Sequence, residues 1–138
     1  MIPKDLKPEH LNIICKNTLV EHLNIEFTTI GDDFIIAKMP VDETTFQPMG
    51  LLHGGASVAL AETVGSCGTH FIIDSATHYG VGIEINANHV GSAYNGYVYA
   101  KGKLIHKGRT THIWNIEIKD EKKKMISIAR LTMMILKR

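Results

Sequence analysis

Residues 47 to 66 read QPMGLLHGGASVALAETVGS and place one carboxylate among small and apolar residues. That carboxylate belongs to Glu62. From Leu51 to Cys67 no other residue is acidic or basic except His53. A carboxylate in an apolar segment is desolvated at a cost unless it faces a cleft, and such groups are enriched in functional sites. Glu62 is therefore the first candidate for a catalytic residue, with an ordinary solvated helix position as the alternative.

Hydrogen-bond donors cluster before this carboxylate, at the start of a predicted helix. Gln47, His53, Gly54 and Gly55 lie where unpaired helix N–H groups and the positive end of the dipole favour developing negative charge. This is the composition of an oxyanion hole. Ser66 follows Glu62 by four residues and shares its helix face, so its hydroxyl can orient the carboxylate or a water molecule.

The spacing of these groups raises a geometric problem. His53 and Glu62 are nine residues apart, about 13.5 Å along a helix, which is too far for both to act on one carbonyl. If both serve one reaction, the carboxylate must come from a second copy of the helix, so the spacing predicts a dimer with active sites between subunits. The alternative for His53 is an ordinary capping or loop histidine.

The elements that position these residues follow from hydrophobic periodicity. The pattern predicts an amphipathic helix or two short ones over residues 8–22, two strands over residues 25–41 and a long, mostly apolar helix from residue 54 to about 72. Four strands follow Asp74, and consecutive strands are expected to pair antiparallel. We therefore expect a single α+β domain over residues 1–138, with one sheet wrapped against one helix.

Composition and charge exclude several classes of function. Fifteen lysine and arginine residues balance 14 acidic residues, so the net charge of +1 argues against binding to nucleic acid or an anionic membrane surface. The sequence has no apolar run of membrane-spanning length and no apolar leader, which favours a soluble, cytoplasmic protein. Cys15 and Cys67 have no CxxC spacing and are expected to be packing thiols. The histidines show no metal-binding pattern, so no metal is expected.

The motif Gln47…His53-Gly54-Gly55…Glu62…Ser66, followed by GIEINANHV and HKGRTTHIWNIEI, resembles a known family. It is similar to the hotdog-fold acyl-CoA thioesterases of the 4-hydroxybenzoyl-CoA thioesterase type, which include bacterial proofreading and menaquinone-pathway thioesterases. The resemblance spans residues 8–136. It implies a hotdog fold, with a long central helix wrapped by an antiparallel sheet, and dimers that join sheet edge to sheet edge and pair into tetramers.

The resemblance also implies roles for the catalytic residues. The Gly54 N–H corresponds to the oxyanion donor for the thioester carbonyl, and Gln47 and His53 line the same side. Glu62 of the partner chain would act as the nucleophile or as the base that activates water, supported by Ser66. Coenzyme A would be part of the substrate, and no separate cofactor is implied.

Four further residues are implied in substrate or coenzyme A binding: Gly55, His89, Arg109 and Thr110. His89 occupies the position that the family places near the pantetheine arm, and Arg109 in HKGRT is the candidate for a phosphate contact, with a solvated turn residue as its alternative. The sequence departs from the family pattern after His89. Related sequences often have an arginine there, whereas VGSAYNG has none.

These observations predict hydrolysis of an aryl- or acyl-CoA thioester to a free acid and coenzyme A. The alternative is a non-catalytic hotdog module that binds acyl-CoA as a sensor. The sequence does not identify the acyl group, and it leaves open whether the thioester is carried by coenzyme A or by a carrier protein.

Overall fold

The fold is described by a computed structural model that covers residues 2–138. Its elements in chain order are α1 (Pro8–Ile14), α2 (Leu19–His22), β1 (Glu26–Ile30), β2 (Phe34–Pro40), α3 (Gly54–Ile72), β3 (His78–His89), β4 (Tyr97–Lys107), β5 (Thr111–Asp120) and β6 (Met125–Lys137). The two short helices, the hairpin before α3 and the four strands after it agree with the pattern of the sequence.

The six strands form one antiparallel sheet in the order β1-β2-β4-β5-β6-β3. The long helix α3 packs against strands β2 to β6. The predicted α+β architecture, a long helix wrapped by an antiparallel sheet, is confirmed.

The expectation that consecutive strands pair is wrong for β3 and β4, because β3 pairs with β6 at the edge of the sheet. The connection over residues 90–96 crosses the end of the sheet instead of turning back. Val90 and Gly91 donate their N–H groups to the carbonyl of Ile126, and farther along Val41 donates to Gly96. The connection therefore carries the chain from the β6 side to the β2 side.

The core lies between α3 and the inward faces of the strands. Alternate residues of β5 and β6 are buried, as their period of two predicts: Trp114, Ile116, Ile118, Ala129, Leu131, Met133 and Ile135. Glycines inside α3 let the sheet approach closely. A Cβ at Gly68 would lie 2.6 Å from the Trp114 ring. The helix thus tolerates glycine because close packing replaces the lost propensity.

Polar groups inside the core are hydrogen-bonded. The hydroxyl of Thr69 on α3 accepts from the indole N–H of Trp114 at 2.9 Å and lies 3.3 Å from Nδ1 of His112. Burial lowers the pKa of His112 to about 4, so the ring is neutral at pH 7. His112 is therefore a packing residue of the core.

The predicted apolar face at the amino end is only half correct. Leu11 and Cys15 are buried, whereas Ile14 and Leu19 are 46% and 63% exposed. The reason is that α1 ends at Ile14 and the chain turns at Asn17, which has a φ of 60°, so the apolar face is not continued into α2.

Candidate active site

The amino end of α3 presents the backbone N–H of Gly54 as a free donor. His53 is the N-cap residue, and its ring Nδ1 accepts the N–H of Gly55 at 2.8 Å. Because Nδ1 accepts, the proton of the neutral ring is on Nε2, which is left to donate. Among residues 2–138 the Gly54 N–H has no hydrogen-bond partner. Of the two adjacent glycines, Gly54 therefore presents the unpaired donor and Gly55 does not.

A cavity of about 380 Å³ adjoins this end of the helix, and we call it the N-terminal cavity. The side-chain oxygen of Gln47 accepts the N–H of Met49, so its amide NH₂ remains free to donate. The cavity is lined by Gln47, Leu51, Leu52, Gly54, Ser57, His89, Val90, Gly91, Ser92 and Ile126. The structure thus brings Gln47 and Gly54 together, as predicted, and adds His89 to them, whereas the lining of this cavity does not include His53.

His89, the last residue of β3, is held in one orientation by Ser127. Ser127 Oγ lies 3.0 Å from His89 Nδ1 and donates to the carbonyl of Asn88 at 3.3 Å. Since the hydroxyl proton is used on that carbonyl, Nδ1–H donates to Ser127 and Nε2 carries a free lone pair. This nitrogen faces Gly54, where an added Cβ would lie 2.7 Å from it. Ser127 was not predicted, because its signal in the sequence is a single serine in a mostly apolar strand.

Glu62 faces a second cavity, of about 300 Å³, which we call the Glu62 cavity. Its lining is otherwise mostly apolar: Leu19, Val20, Leu23, Ile25, Ala59, Thr63, Ser66 and Cys67. No ion pair involves Glu62 within the part of the chain that the structure describes. The carboxylate is half-buried and lies against Gly82 of β3. Glu62 is thus a carboxylate that faces a cleft, as its isolation in the sequence predicts.

Ser66 lines the same cavity as Glu62, which agrees with the predicted shared helix face. Its hydroxyl donates to the sulfur of Met133 at 3.5 Å rather than to the carboxylate. Within one chain, Ser66 is therefore near Glu62 but not bonded to it.

Cys67 is the other group in the Glu62 cavity that could act as a nucleophile. Its sulfur lies 3.9 Å from that of Cys15, a proximity that the sequence did not reveal. The hydrogen bond with Cys15 and burial both raise the pKa of Cys67, so it stays a protonated thiol at neutral pH. Only the thiolate is a strong nucleophile, so Glu62 remains the candidate for the reactive group of this cavity.

Arg109 and Thr110 do not join the N-terminal cavity of their own chain. They lie in the exposed turn between β4 and β5, where the Thr110 carbonyl accepts from the N–H of Ile135 at 2.8 Å. His89 contacts Ser127, at the opposite end of β6, about 26 Å away along the strand. The phosphate-contact candidates and the candidate oxyanion donor are thus at opposite ends of the sheet.

The predicted catalytic groups form two half-sites in one chain. The helix α3 is continuous from Gly54 to Ile72, so Gly54 and Glu62 are separated by about 12 Å along its axis. The edge strand β3 runs antiparallel to α3, with His89 beside Gly54 and Gly82 beside Glu62. Each half-site therefore has its own cavity and its own contact on β3.

Residues 2–138 include no group of three or more His, Cys, Asp or Glu side chains placed to hold a metal ion. No helix in that range is long and apolar enough to span a membrane.

Comparison with known proteins identifies related enzymes. A family model described as the thioesterase superfamily matches residues 49–127. The 1,4-dihydroxy-2-naphthoyl-CoA hydrolase of Escherichia coli is 48% identical over 128 residues, which cover 93% of each chain.

Solved structures agree with this result. A mutant thioesterase from Pseudomonas aeruginosa, with one glutamine replaced by alanine, is 42% identical with a TM-score of 0.97 over 99% of each chain. A Staphylococcus aureus thioesterase is 40% identical, with TM-scores of 0.85 for a glutamate-to-alanine mutant and 0.82 for a glutamine-to-alanine mutant. The two comparisons cover 87% and 85% of this chain and 99% and 97% of the other.

Proposed function

The chain belongs to the thioesterase superfamily and is a thioester hydrolase with the hotdog fold, and from this premise we propose its substrate and site. The proposed reaction is hydrolysis of an aryl- or acyl-CoA thioester to the free acid and coenzyme A, at sites shared between two subunits. The names of the relatives favour this hydrolase over a non-catalytic acyl-CoA sensor.

The separation of Gly54 and Glu62 on one straight helix supports the shared site. The oxyanion donor must lie about 3 Å from the carbonyl oxygen, and the attacking group about 3 to 3.5 Å from the carbonyl carbon. Two groups about 12 Å apart on one helix cannot both meet these limits. A second copy of α3 is needed to supply the missing group.

The outer edge of β3 is a suitable surface for that second copy. Within residues 2–138 no strand pairs with this edge, and Tyr79, Val81 and Ile83 are exposed along it. A long apolar edge is a template for pairing with another strand. Two-fold pairing of two β3 edges sets the two helices antiparallel, so that each Glu62 approaches the partner's Gly54.

Apolar side chains on the outward face of the sheet support a further step to tetramers. Ile105, Ile128 and Met134 are each more than a third exposed and alternate with core residues along their strands. We propose that two dimers pack through this face.

In the proposed mechanism the thioester oxygen accepts the Gly54 N–H at the positive end of α3. His53 Nε2–H and the amide of Gln47 donate from the same side. The partner's Glu62 either attacks the carbonyl carbon, giving an anhydride that water cleaves, or removes a proton from an attacking water. In both routes the C–S bond breaks, the thiolate leaves, and water supplies the hydroxyl of the acid and the proton of the thiol.

The cavities suggest where the parts of the substrate bind. The Glu62 cavity is apolar and suits an acyl or aryl group, and the name of the Escherichia coli relative favours an aryl group for this chain too. His89 Nε2 can accept a hydrogen bond from an amide of the pantetheine arm. Antiparallel helices bring Arg109 and Thr110 toward the partner's N-terminal cavity, which makes them candidates for the coenzyme A phosphates.

The Staphylococcus aureus mutants give independent support for two of these residues. The glutamine and the glutamate replaced in that thioesterase are separated by the same number of residues as Gln47 and Glu62. We therefore place Gln47 and Glu62 in the reaction, on the oxyanion side and the nucleophile side respectively.

A hydrolysis panel tests this function. Thiol release is measured with benzoyl-, hydroxybenzoyl-, hydroxynaphthoyl- and fatty acyl-CoA, with the Glu62→Ala variant as control. We expect hydrolysis of at least one aryl-CoA by the wild type and its loss in the variant. A wild type that binds these thioesters without hydrolysing any of them would show a non-catalytic module instead.

A further inference from the structure

Gly82 occupies the interior of the edge strand β3, a position that normally disfavours glycine. Glycine has no side chain to pack and loses more conformational entropy than other residues when it is fixed in a strand. A left-handed backbone would explain it, but among residues 2–138 the glycines with positive φ are Gly50 and Gly96. The backbone at position 82 is therefore open to any residue, and its glycine needs another explanation.

The absence of a side chain at Gly82 leaves space for the carboxylate of Glu62. A Cβ built on Gly82 would lie 2.5 Å from Oε1 of Glu62, whereas the next residue it would meet, Leu131, is 3.7 Å away. The strand is also irregular at this point, because its pairing with β6 shifts between Gly82 and Glu84 and leaves Ile83 as a bulge. Bulges of this kind bend a strand and are over-represented next to active sites.

We propose that Gly82 is a positioning residue for catalysis, whose missing side chain forms the slot that holds the Glu62 carboxylate toward the reacting carbonyl. The inference rests on the proposed role of Glu62 as nucleophile or base. It adds a residue of β3 that has no role in substrate contact and acts only through the Glu62 carboxylate.

The contact between Gly82 and Glu62 predicts that replacing Gly82 by alanine changes catalysis more than stability. The atom that the added methyl group would displace is the far end of a flexible side chain, so the glutamate can rotate away at little cost in folding free energy. The carboxylate then points elsewhere, and a displacement of about 1 Å in a catalytic group can lower the rate by about 100-fold. Gly82→Ala is thus expected to damage catalysis while sparing stability.

Gly80 provides a matched control on the same strand and the same side. A Cβ at Gly80 would lie 2.9 Å from the methyl group of Thr69, which is fully buried and bonded to Trp114. Thr69 cannot move without disturbing that network. Gly80→Ala is therefore expected to lower the melting temperature and to leave Glu62 in place.

The experiment compares the wild type with Gly82→Ala, Gly80→Ala, Glu62→Ala and the Gly82→Ala/Glu62→Ala double variant. The aryl-CoA hydrolysed best in the panel is used to measure kcat, KM and the pH dependence of kcat, and melting is followed by circular dichroism. For Gly82→Ala we expect kcat to fall by about 100-fold with KM within about twofold. The acidic limb of its pH profile should shift, and its melting temperature should stay unchanged. In the Glu62→Ala background the same change should have no further effect on residual turnover.

Three results would overturn the inference. The first is a wild-type kcat for Gly82→Ala. The second is a Gly82→Ala protein that fails to fold or that melts at as low a temperature as Gly80→Ala. The third is an equal loss of residual turnover in the Glu62→Ala background. Full activity of Glu62→Ala itself would instead refute the proposed function, so the two failures are distinguishable.

Discussion

At the scale of the residue, the two glycines after His53 have different chemical environments although they are adjacent. The His53 ring accepts a hydrogen bond from the Gly55 N–H, whereas the N–H of Gly54, a residue that lines the N-terminal cavity, is unpaired within residues 2–138. The Gly54 N–H is therefore the atom that we propose as the oxyanion donor. This difference also makes the proposal testable with substitutions that differ only in that atom.

Gly54→Pro removes the donor and keeps the helix start, because proline is accepted at the first position of a helix. His53 already has φ −68° and ψ 129°, a conformation that a following proline permits. Gly54→Ala places a Cβ against His89 in the same way but retains the N–H. We expect kcat of the proline variant to be lower than that of the alanine variant by about 100-fold or more, as measured by thiol release. Equal rates would remove the Gly54 N–H from the mechanism.

Glu62→Gln preserves the shape of the side chain and removes its charge. We expect kcat to fall by about 100-fold or more while substrate binding, measured by calorimetry, changes little. Glu84→Gln is the control, since Glu84 is an exposed carboxylate on the same strand as Gly82. An enzyme that loses activity equally in both variants would point to general electrostatics instead of a reactive carboxylate.

Residue chemistry was predictable where the signal was local. Glu62 was identified because no other acid lies near it in the sequence, and His53 because it precedes two glycines. Ser127 and Gly82 were missed because their partners, His89 and Glu62, are distant in sequence. Only strand pairing and helix packing bring those contacts together.

At the scale of the element, α3 depends on its cap. His53→Ala deletes the acceptor for the Gly55 N–H, which should lower the free energy of unfolding by about 1 kcal/mol. His53→Asn offers an equivalent acceptor and should retain most of that stability. Urea unfolding at fixed protein concentration measures both, and equal losses in the two variants would show that the cap does not stabilise α3.

The contact between α3 and β5 should make stability depend on pH. His112 has an ordinary pKa near 6.5 in the unfolded chain and about 4 when folded, so between these values the unfolded state binds more protons. Stability should therefore be fully present above pH 6.5 and fall as the pH drops toward 4, by about 1.4 kcal/mol per pH unit.

The free energy of unfolding between pH 4 and 7 measures this effect, as the difference between the wild type and His112→Gln. His70→Gln, which changes an exposed histidine of α3, is the control. If the wild type and His112→Gln have the same slope, the buried ring is not the cause.

The elements themselves were largely predictable, because periods of two and 3.6 distinguish buried strands from helices. The helix α3 was predicted in spite of its glycines, but the packing of those glycines against Trp114 could not be predicted from the sequence. The order of strands was not predictable in full. Whether β4 turns back on β3 or crosses to β2 depends on hydrogen bonds of the connection over residues 90–96, and not on the periodicity of either strand.

At the scale of the whole molecule, the antiparallel course of β3 along α3 keeps the surroundings of Gly54 and Glu62 apart within one chain. Each half-site is built on this strand, with His89 at one and Gly82 at the other, and the outer edge of the strand is exposed. The spacing of His53 and Glu62 already predicted a dimer. The structure adds the surface through which a second copy is proposed to complete the site.

The most direct test of the shared site is complementation between two inactive variants. Gly54→Pro and Glu62→Gln chains are co-expressed with different affinity tags and purified through both, so that the assemblies contain both chains. Sites between subunits predict recovery of about a quarter to a half of the wild-type kcat, because a mixed dimer has one site with both functional groups intact. Activity no higher than that of either parent variant would show that Gly54 of one subunit and Glu62 of another do not complete one site, and would contradict the account.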